Sequence, residues 1–416
     1  MILCDRQAMH IDPAGLLTMR FSERTAWNTE ESELARAHRL RAQAGLPIAD
    51  LTASNPTRCG FLYSADLLNA LTSPKGLDYD PQPRGNLVAR EAVCAYYAEH
   101  RAQVSPDRIV LTTSTSEAYS FLFRLLCDPG SEILALHPGY PLFDFLAVLD
   151  DVHLRQAALV YDHGWQIDPE GIRRTITPRT RAIMLVHPNN PTGHFIKAWE
   201  AAELARLCRE HNLALVVDEV FLDYGLGNAS SLHSLRTFAQ GVDGVTVFVV
   251  SGLSKIAGLP QMKAAWIAAI GPEADPALER LEVIADTFLS MNAPVQWALP
   301  AWLTARGAIQ RQIQARTRAN LAELDRLLTG AAGVDRLQVE GGWYATLRIP
   351  ALQPDQDTVL ALLEEGIWVH PGYFFGLPPS GWLVLSLLTP LAEFATGAQG
   401  LINYFQTHQF GNITAL

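Results

Sequence analysis

The chain has 416 residues, 49% of them hydrophobic, and a formal net charge of −11. That length suits two domains rather than one simple core, and the negative balance argues against nucleic acid or an anionic membrane as the main partner. No apolar run approaches the roughly 18 residues of a membrane helix, and residues 1–15 lack the basic start and apolar stretch of a signal peptide. Cys4, Cys59, Cys94, Cys127 and Cys208 are isolated, with no C-x-x-C pair, so neither a zinc knuckle nor a disulfide framework is expected. A reduced, cytoplasmic setting is the expectation. The histidines do not fall at metal-ligand spacing, and no metal is expected.

In chain order, residues 48–52 read as a short strand running into Ser54-Asn55-Pro56-Thr57-Arg58. The stretch Asp78-Tyr79-Asp80-Pro81-Gln82-Pro83-Arg84-Gly85 precedes an amphipathic helix over 87–97. Strand-like runs at 108–113, 132–136, 182–187, 213–218, 245–251 and 264–270 then alternate with helical patterns at 117–126, 140–149 and 198–211. This alternation predicts an α/β fold, a large domain over about 50–290 with a mostly parallel sheet flanked by helices. Helical stretches at 294–305 and 308–328 follow, then strand, helix, strand at 338–349, 357–365 and 383–388. These predict a smaller α+β domain over 291–416. No strand is followed by G-x-G-x-x-G, so a nicotinamide-binding fold lacks its fingerprint.

Three strand ends carry chemistry. The run 245–250 leads into Ser251-Gly252-Leu253-Ser254-Lys255-Ile256-Ala257-Gly258. A lysine there reads either as a solvated loop residue or as a desolvated amine fit for Schiff-base chemistry. The run 213–217 ends on Asp218-Glu219, which reads as a surface acid or a helix cap, or as a carboxylate aimed into the crevice where open α/β sheets bind ligands. The run 182–186 ends on His187-Pro188-Asn189-Asn190-Pro191-Thr192-Gly193, a rigid turn, in which Pro191 biases Asn190 to an extended backbone.

Together these segments resemble the fold type I pyridoxal-phosphate enzymes, and within them the aspartate aminotransferase-like class I/II aminotransferases. The N-P-T-G, D-E and S-K motifs stand in the family's order, with Asn190, Asp218 and Lys255 at intervals of 28 and 37 residues. The matching segments span about 51–386. The resemblance implies pyridoxal 5'-phosphate as cofactor, with Lys255 as its Schiff-base lysine and Asp218 as partner of the ring nitrogen. It also implies Asn190 on the ring hydroxyl and Tyr140, in His137-Pro138-Gly139-Tyr140, stacked on the ring. The phosphate would lie on Ser114, Thr115 and Ser116 at a helix N-terminus, with Lys263 as its cation. Tyr79 resembles the tyrosine that reaches the phosphate of the partner subunit, which implies a homodimer with shared active sites. In the family, the N-terminal segment completes the small domain, here residues 1–49 together with 291–416.

The implied activity is transfer of an amino group between an amino acid or amine and an oxo acid. A lyase, decarboxylase or racemase on the same fold, or a non-catalytic binding protein, is the alternative. Asn55, Tyr344 and Arg348 are the expected substrate contacts.

Four positions depart from the family pattern. Lys263 replaces the usual arginine, keeping charge but losing the bidentate fork. Phe221 replaces a tyrosine of the D-E-x-Y motif, which removes a phenol donor; Tyr224 is a possible substitute. Ser114 stands where glycine is common, so its backbone must avoid positive φ. Val384 stands where the family carries an arginine that forks onto the substrate α-carboxylate. Three explanations stay open: another cation (Arg348, Arg58 or Arg84), a substrate without an α-carboxylate, or a different reaction on the same cofactor.

Overall fold

The computed structural model describes Met19 and residues 21–227 and 236–410. Residues 1–15 and Cys4, discussed above, lie outside the described residues. The main sheet has eight strands: β1 (Ile109–Thr112), β2 (Glu132–His137), β3 (His153–Tyr161), β4 (Trp165–Ile167), β5 (Thr180–Val186), β6 (Ala214–Asp218), β7 (Val247–Gly252) and β8 (Ala265–Ile270). Their order is β1-β8-β7-β6-β5-β2-β3-β4. From β7 to β3 every neighbour is parallel. Strand β8 lies antiparallel between β1 and β7, and β4 closes the far edge as a hairpin on β3.

Central parallel strands covered on both faces need apolar residues at every position, not at alternate ones. All six residues of β7 are buried, as are four of five in β6. Period two still sorts them. Leu185, Val217 and Val249 join an apolar cluster with helices Leu87–Glu99 and Ala293–Ala305. Met184, Val216 and Val250 face the other way, onto helices Thr115–Leu126 and Ala274–Phe288.

A second, smaller sheet contains β9 (Asp335–Arg336), β10 (Tyr344–Arg348), β11 (His370–Pro371) and β12 (Trp382–Ser386), all antiparallel, in the order β9-β10-β12-β11. Its core gathers Leu347, Leu383 and Leu385 with Leu34 of helix Glu33–Gln43 and with Phe394 and Leu401 of the last helix. The pair Ala49–Asp50 runs parallel to Ile367–Trp368, stitching the N-terminal segment to this unit. Helix Ala293–Ala305 packs on Leu87–Glu99 in the large-sheet core. A division after that helix therefore fits the packing better than one at residue 291.

Strand β3 is absent from the sequence-based expectation; only two of its nine residues are buried. Among the described residues, no helix is long and apolar enough to cross a membrane.

Candidate active site

Strand β6 ends on Asp218, and two donors fix its carboxylate. The Val220 N–H donates to Oδ1 at 2.9 Å, and the Tyr119 hydroxyl donates to Oδ2 at 2.7 Å. Tyr119 sits on helix Thr115–Leu126, one turn past the helix start. Burial pushes the Asp218 pKa up to about 6, against both donors and the attraction of Lys255. The neighbouring Glu219 is raised to about 7 by burial while accepting from Phe238 N–H at 2.6 Å and Thr237 Oγ1 at 2.7 Å. It anchors the chain behind the sheet.

Strand β7 delivers Lys255 on a single helical turn, Leu253–Ile256. Burial lowers the amine to about 8, opposed by Asp218. Nζ stands 5.1 Å from the centroid of the fully buried Trp343 ring. The Tyr224 hydroxyl donates to the Lys255 carbonyl at 2.6 Å. That phenol therefore holds the lysine's backbone and does not substitute for the missing tyrosine at Phe221.

Strand β5 runs into the Asn189–Gly193 turn. The Asn189 side chain accepts from Thr192 Oγ1 at 2.8 Å, and Gly193 N–H donates to the Asn189 carbonyl at 2.8 Å. Gly193 has φ +71, and a Cβ there would lie 2.5 Å from the Gly341 carbonyl oxygen. Only glycine allows this conformation and this approach of the small unit. The turn leaves Asn190 Oδ1 buried without a hydrogen-bond partner.

Ser114 caps helix Thr115–Leu126, accepting from Glu117 N–H at 3.2 Å, while Glu117 accepts from Thr113 N–H at 2.7 Å. This reciprocal cap leaves the Thr115 and Ser116 amides without intrahelical partners. Ser114 has φ −161, so the serine is accommodated without strain.

These strand ends open on a cavity of about 1190 Å³ between the two units. Thr115, Tyr140, Asn190, Asp218, Phe221 and Lys255 line one wall; Ser54, Asn55, Arg58, Tyr344, His370 and Phe375 line the other. A side-chain hydrogen bond joins Tyr344 to Ser54, and burial raises the Tyr344 pKa to about 12. His370 is hydrogen-bonded to the Thr52 backbone, and burial lowers its pKa to about 4, leaving it neutral. The donor set fits pyridoxal phosphate. It offers a desolvated amine, a fixed carboxylate and free amides at a helix N-terminus.

The cavity thus brings together Asn55, Thr115, Tyr140, Asn190, Asp218, Lys255 and Tyr344. Ser114 and Ser116 form the helix start without lining it. Lys263 is exposed in the left-handed region at φ +50 and does not line the cavity. Tyr79 is 83% exposed and borders a different cavity, with Met291 and Asn292. Arg348 is exposed, its guanidinium 4.2 Å over the Trp382 ring, away from the site. Tyr119 was not anticipated. Tyr119 shares the first turns of a helix already expected at the site, and that spacing was the available signal. The Trp343 ring meets Phe221, Tyr224 and Lys255, all far from it in sequence.

The model of the family described as aminotransferase class I and II matches residues 69–395. The chain is 28% identical over 346 residues to the aspartate/prephenate aminotransferase of Thermus thermophilus, covering 82% of this chain and 87% of that one. It is 27% identical over 404 residues to the glutamate-pyruvate aminotransferase of Escherichia coli K12, covering 90% and 96%. In fold it is similar to an alanine aminotransferase from Pyrococcus furiosus, with a TM-score of 0.84 at 22% identity, covering 93% and 100%.

Proposed function

We infer the roles of individual residues from one premise: this chain belongs to the class I and II aminotransferases. It is a pyridoxal-phosphate-dependent aminotransferase, and its substrates are amino acids and oxo acids. The reading of the site rests on one observation above the others. A buried lysine with a depressed pKa shares a cavity with a buried, doubly hydrogen-bonded aspartate.

When bound, the cofactor supplies an aldehyde that condenses with amines and a pyridine ring that draws electrons from the substrate Cα. Lys255 would hold it covalently. With a pKa near 8, the freed amine is neutral often enough to take the Cα proton as general base and to deliver it again as acid. Asp218 is charged above about pH 6 and holds a proton on the ring nitrogen; Tyr119 and the Val220 amide keep that carboxylate ionised and aimed. Asn190, through its amide N–H, and Tyr140, which lines the same cavity, would hold the ring oxygen and the ring face. The amides of Thr115 and Ser116 take the phosphate at the positive end of their helix.

Tyr79 completes the phosphate site of the second subunit in a homodimer. The exposure of Tyr79, together with exposed Leu62, Leu68 and Leu77, supports this. The enzyme works in the cytoplasm. Lys255→Ala is expected to lose the cofactor's visible absorbance and at least ~1000-fold of turnover, within the range attributed to an acid–base group together with covalent attachment. Full activity in that variant would contradict the reading.

A further inference from the structure

The site reading leaves one substrate group without a partner. An amino acid and its oxo acid both carry a carboxylate, and a guanidinium is the side chain best shaped to fork onto it. Strand β12 does not supply one. Val384 is fully buried, paired across the sheet with Thr346 and His370, and no residue of β12 lines the cavity.

The other cations sort themselves by place. Arg348 lies over Trp382, outside the cavity. Arg84 is held by Glu282 at 2.6 Å and donates to the Asp107 carbonyl at 3.1 Å. Arg316 donates to the Cys59 and Leu388 carbonyls at 3.2 and 3.1 Å. Lys263 is exposed and does not line the cavity. Among the described residues, the cavity is lined by one lysine, Lys255, and one arginine, Arg58.

The Arg58 side chain is exposed at the cavity and its guanidinium makes no hydrogen bond or ion pair with the described residues, while its backbone is held in place. It ends a short turn, Pro56–Arg58, capped by Asn55, whose side chain accepts from Thr57 N–H at 3.1 Å and Thr57 Oγ1 at 2.8 Å. The Asn55 carbonyl accepts the Arg58 N–H at 3.0 Å. Ser54, in the same loop, is tied to Tyr344 on the facing strand. The acids on the cavity's rim do not capture the guanidinium. Glu31 is forked onto Arg39 at 2.7 and 2.8 Å, Glu393 accepts the Asp50 N–H at 2.9 Å, and Asp50 accepts from Thr52 N–H at 2.7 Å.

We propose that Arg58 fixes the carboxylate of this enzyme's amino-acid and oxo-acid substrates, a role moved from the C-terminal strand to the loop after residue 53. This rests on the aminotransferase reading above.

The test is calorimetric binding of 3-phenylpropanoate to the cofactor-loaded enzyme. This probe has a carboxylate, a ring for the aromatic wall and no amine. Arg58→Gln is expected to weaken its Kd roughly 10- to 100-fold, the scale of a lost hydrogen bond to a charged group. Arg58→Lys recovers part of that loss. The cofactor's absorbance in each variant reports an intact site. Unchanged affinity in Arg58→Gln, or the same loss in Arg348→Gln instead, overturns the proposal. If no amino acid alters the wild-type cofactor spectrum while Arg58→Gln still loses the probe, the transamination reading fails and the carboxylate site stands.

Discussion

The two walls of the cavity are built from different parts of the chain and by different means. The large-domain wall sets single polar groups at the ends of buried strands: Asn190 after β5, Asp218 on β6 and Lys255 after β7. Asp218 is locked by neighbours in the same unit, Tyr119 and Val220. The facing wall is assembled from the loop 54–58 and from Tyr344, His370, Phe374 and Phe375, held mainly by ring contacts such as Tyr344–Phe375 at 6.0 Å and His370–Phe375 at 5.7 Å. The cofactor is one molecule with fixed demands, and its wall keeps Lys255, Asp218 and Asn190 even though Phe221 departs from the family pattern beside them. The facing wall answers to the substrate, and the departure at Val384 falls on that side.

Mutations on each wall can break this contrast. Val384→Arg returns the usual residue to β12, but Val384 is fully buried and the strand offers no acid. An unpaired cation there is expected to cost on the order of 4 kcal/mol of stability, read by urea unfolding, without tighter 3-phenylpropanoate binding. A stable variant with improved affinity would mean that β12 still faces the substrate. Asp218→Asn leaves the fold intact and removes the charge that holds the ring proton. Turnover is expected to fall about 100-fold, with cofactor retained on Lys255.

Tyr119→Phe is a gentler probe of the same wall. Removing a donor to a carboxylate costs roughly 1.5 kcal/mol, about tenfold in rate. The sign of its pH effect follows from the bond. The phenol favours the charged form, so its loss raises the Asp218 pKa further above 6, and the acid limb of the rate profile moves to higher pH. A smaller effect is expected in the cofactor-free protein. Because burial lowers the Lys255 amine, its acylation rate should level off above about pH 8; a rate still climbing toward pH 10.5 would place the lysine in solvent.

The large-domain wall was legible in the sequence because its residues follow apolar runs. A strand buried on both faces announces itself, and the next polar residue is delivered to the sheet's edge. The facing wall was less legible. Arg348 was expected there as a cation for the substrate carboxylate, but it stands at the end of β10 away from Tyr344, exposed and over the Trp382 ring. Trp343 under Lys255 and Tyr224 on its carbonyl join segments about 90 and 30 residues from the lysine, and only the docking of the small unit through Gly193 and Gly341 puts the tryptophan in place. Strand β3, mostly exposed, left no periodic signal.

The chain has four lysines, and three are otherwise placed. Lys75 lies 4.5 Å from the Trp297 ring centroid, Lys197 is paired with Glu340, and Lys263 is exposed. Borohydride reduction of the cofactor-loaded enzyme, followed by peptide mass mapping, therefore tests the central assignment directly. The expected result is a single cofactor adduct on the peptide carrying Lys255. An adduct on Lys263, or on no lysine at all, would contradict it.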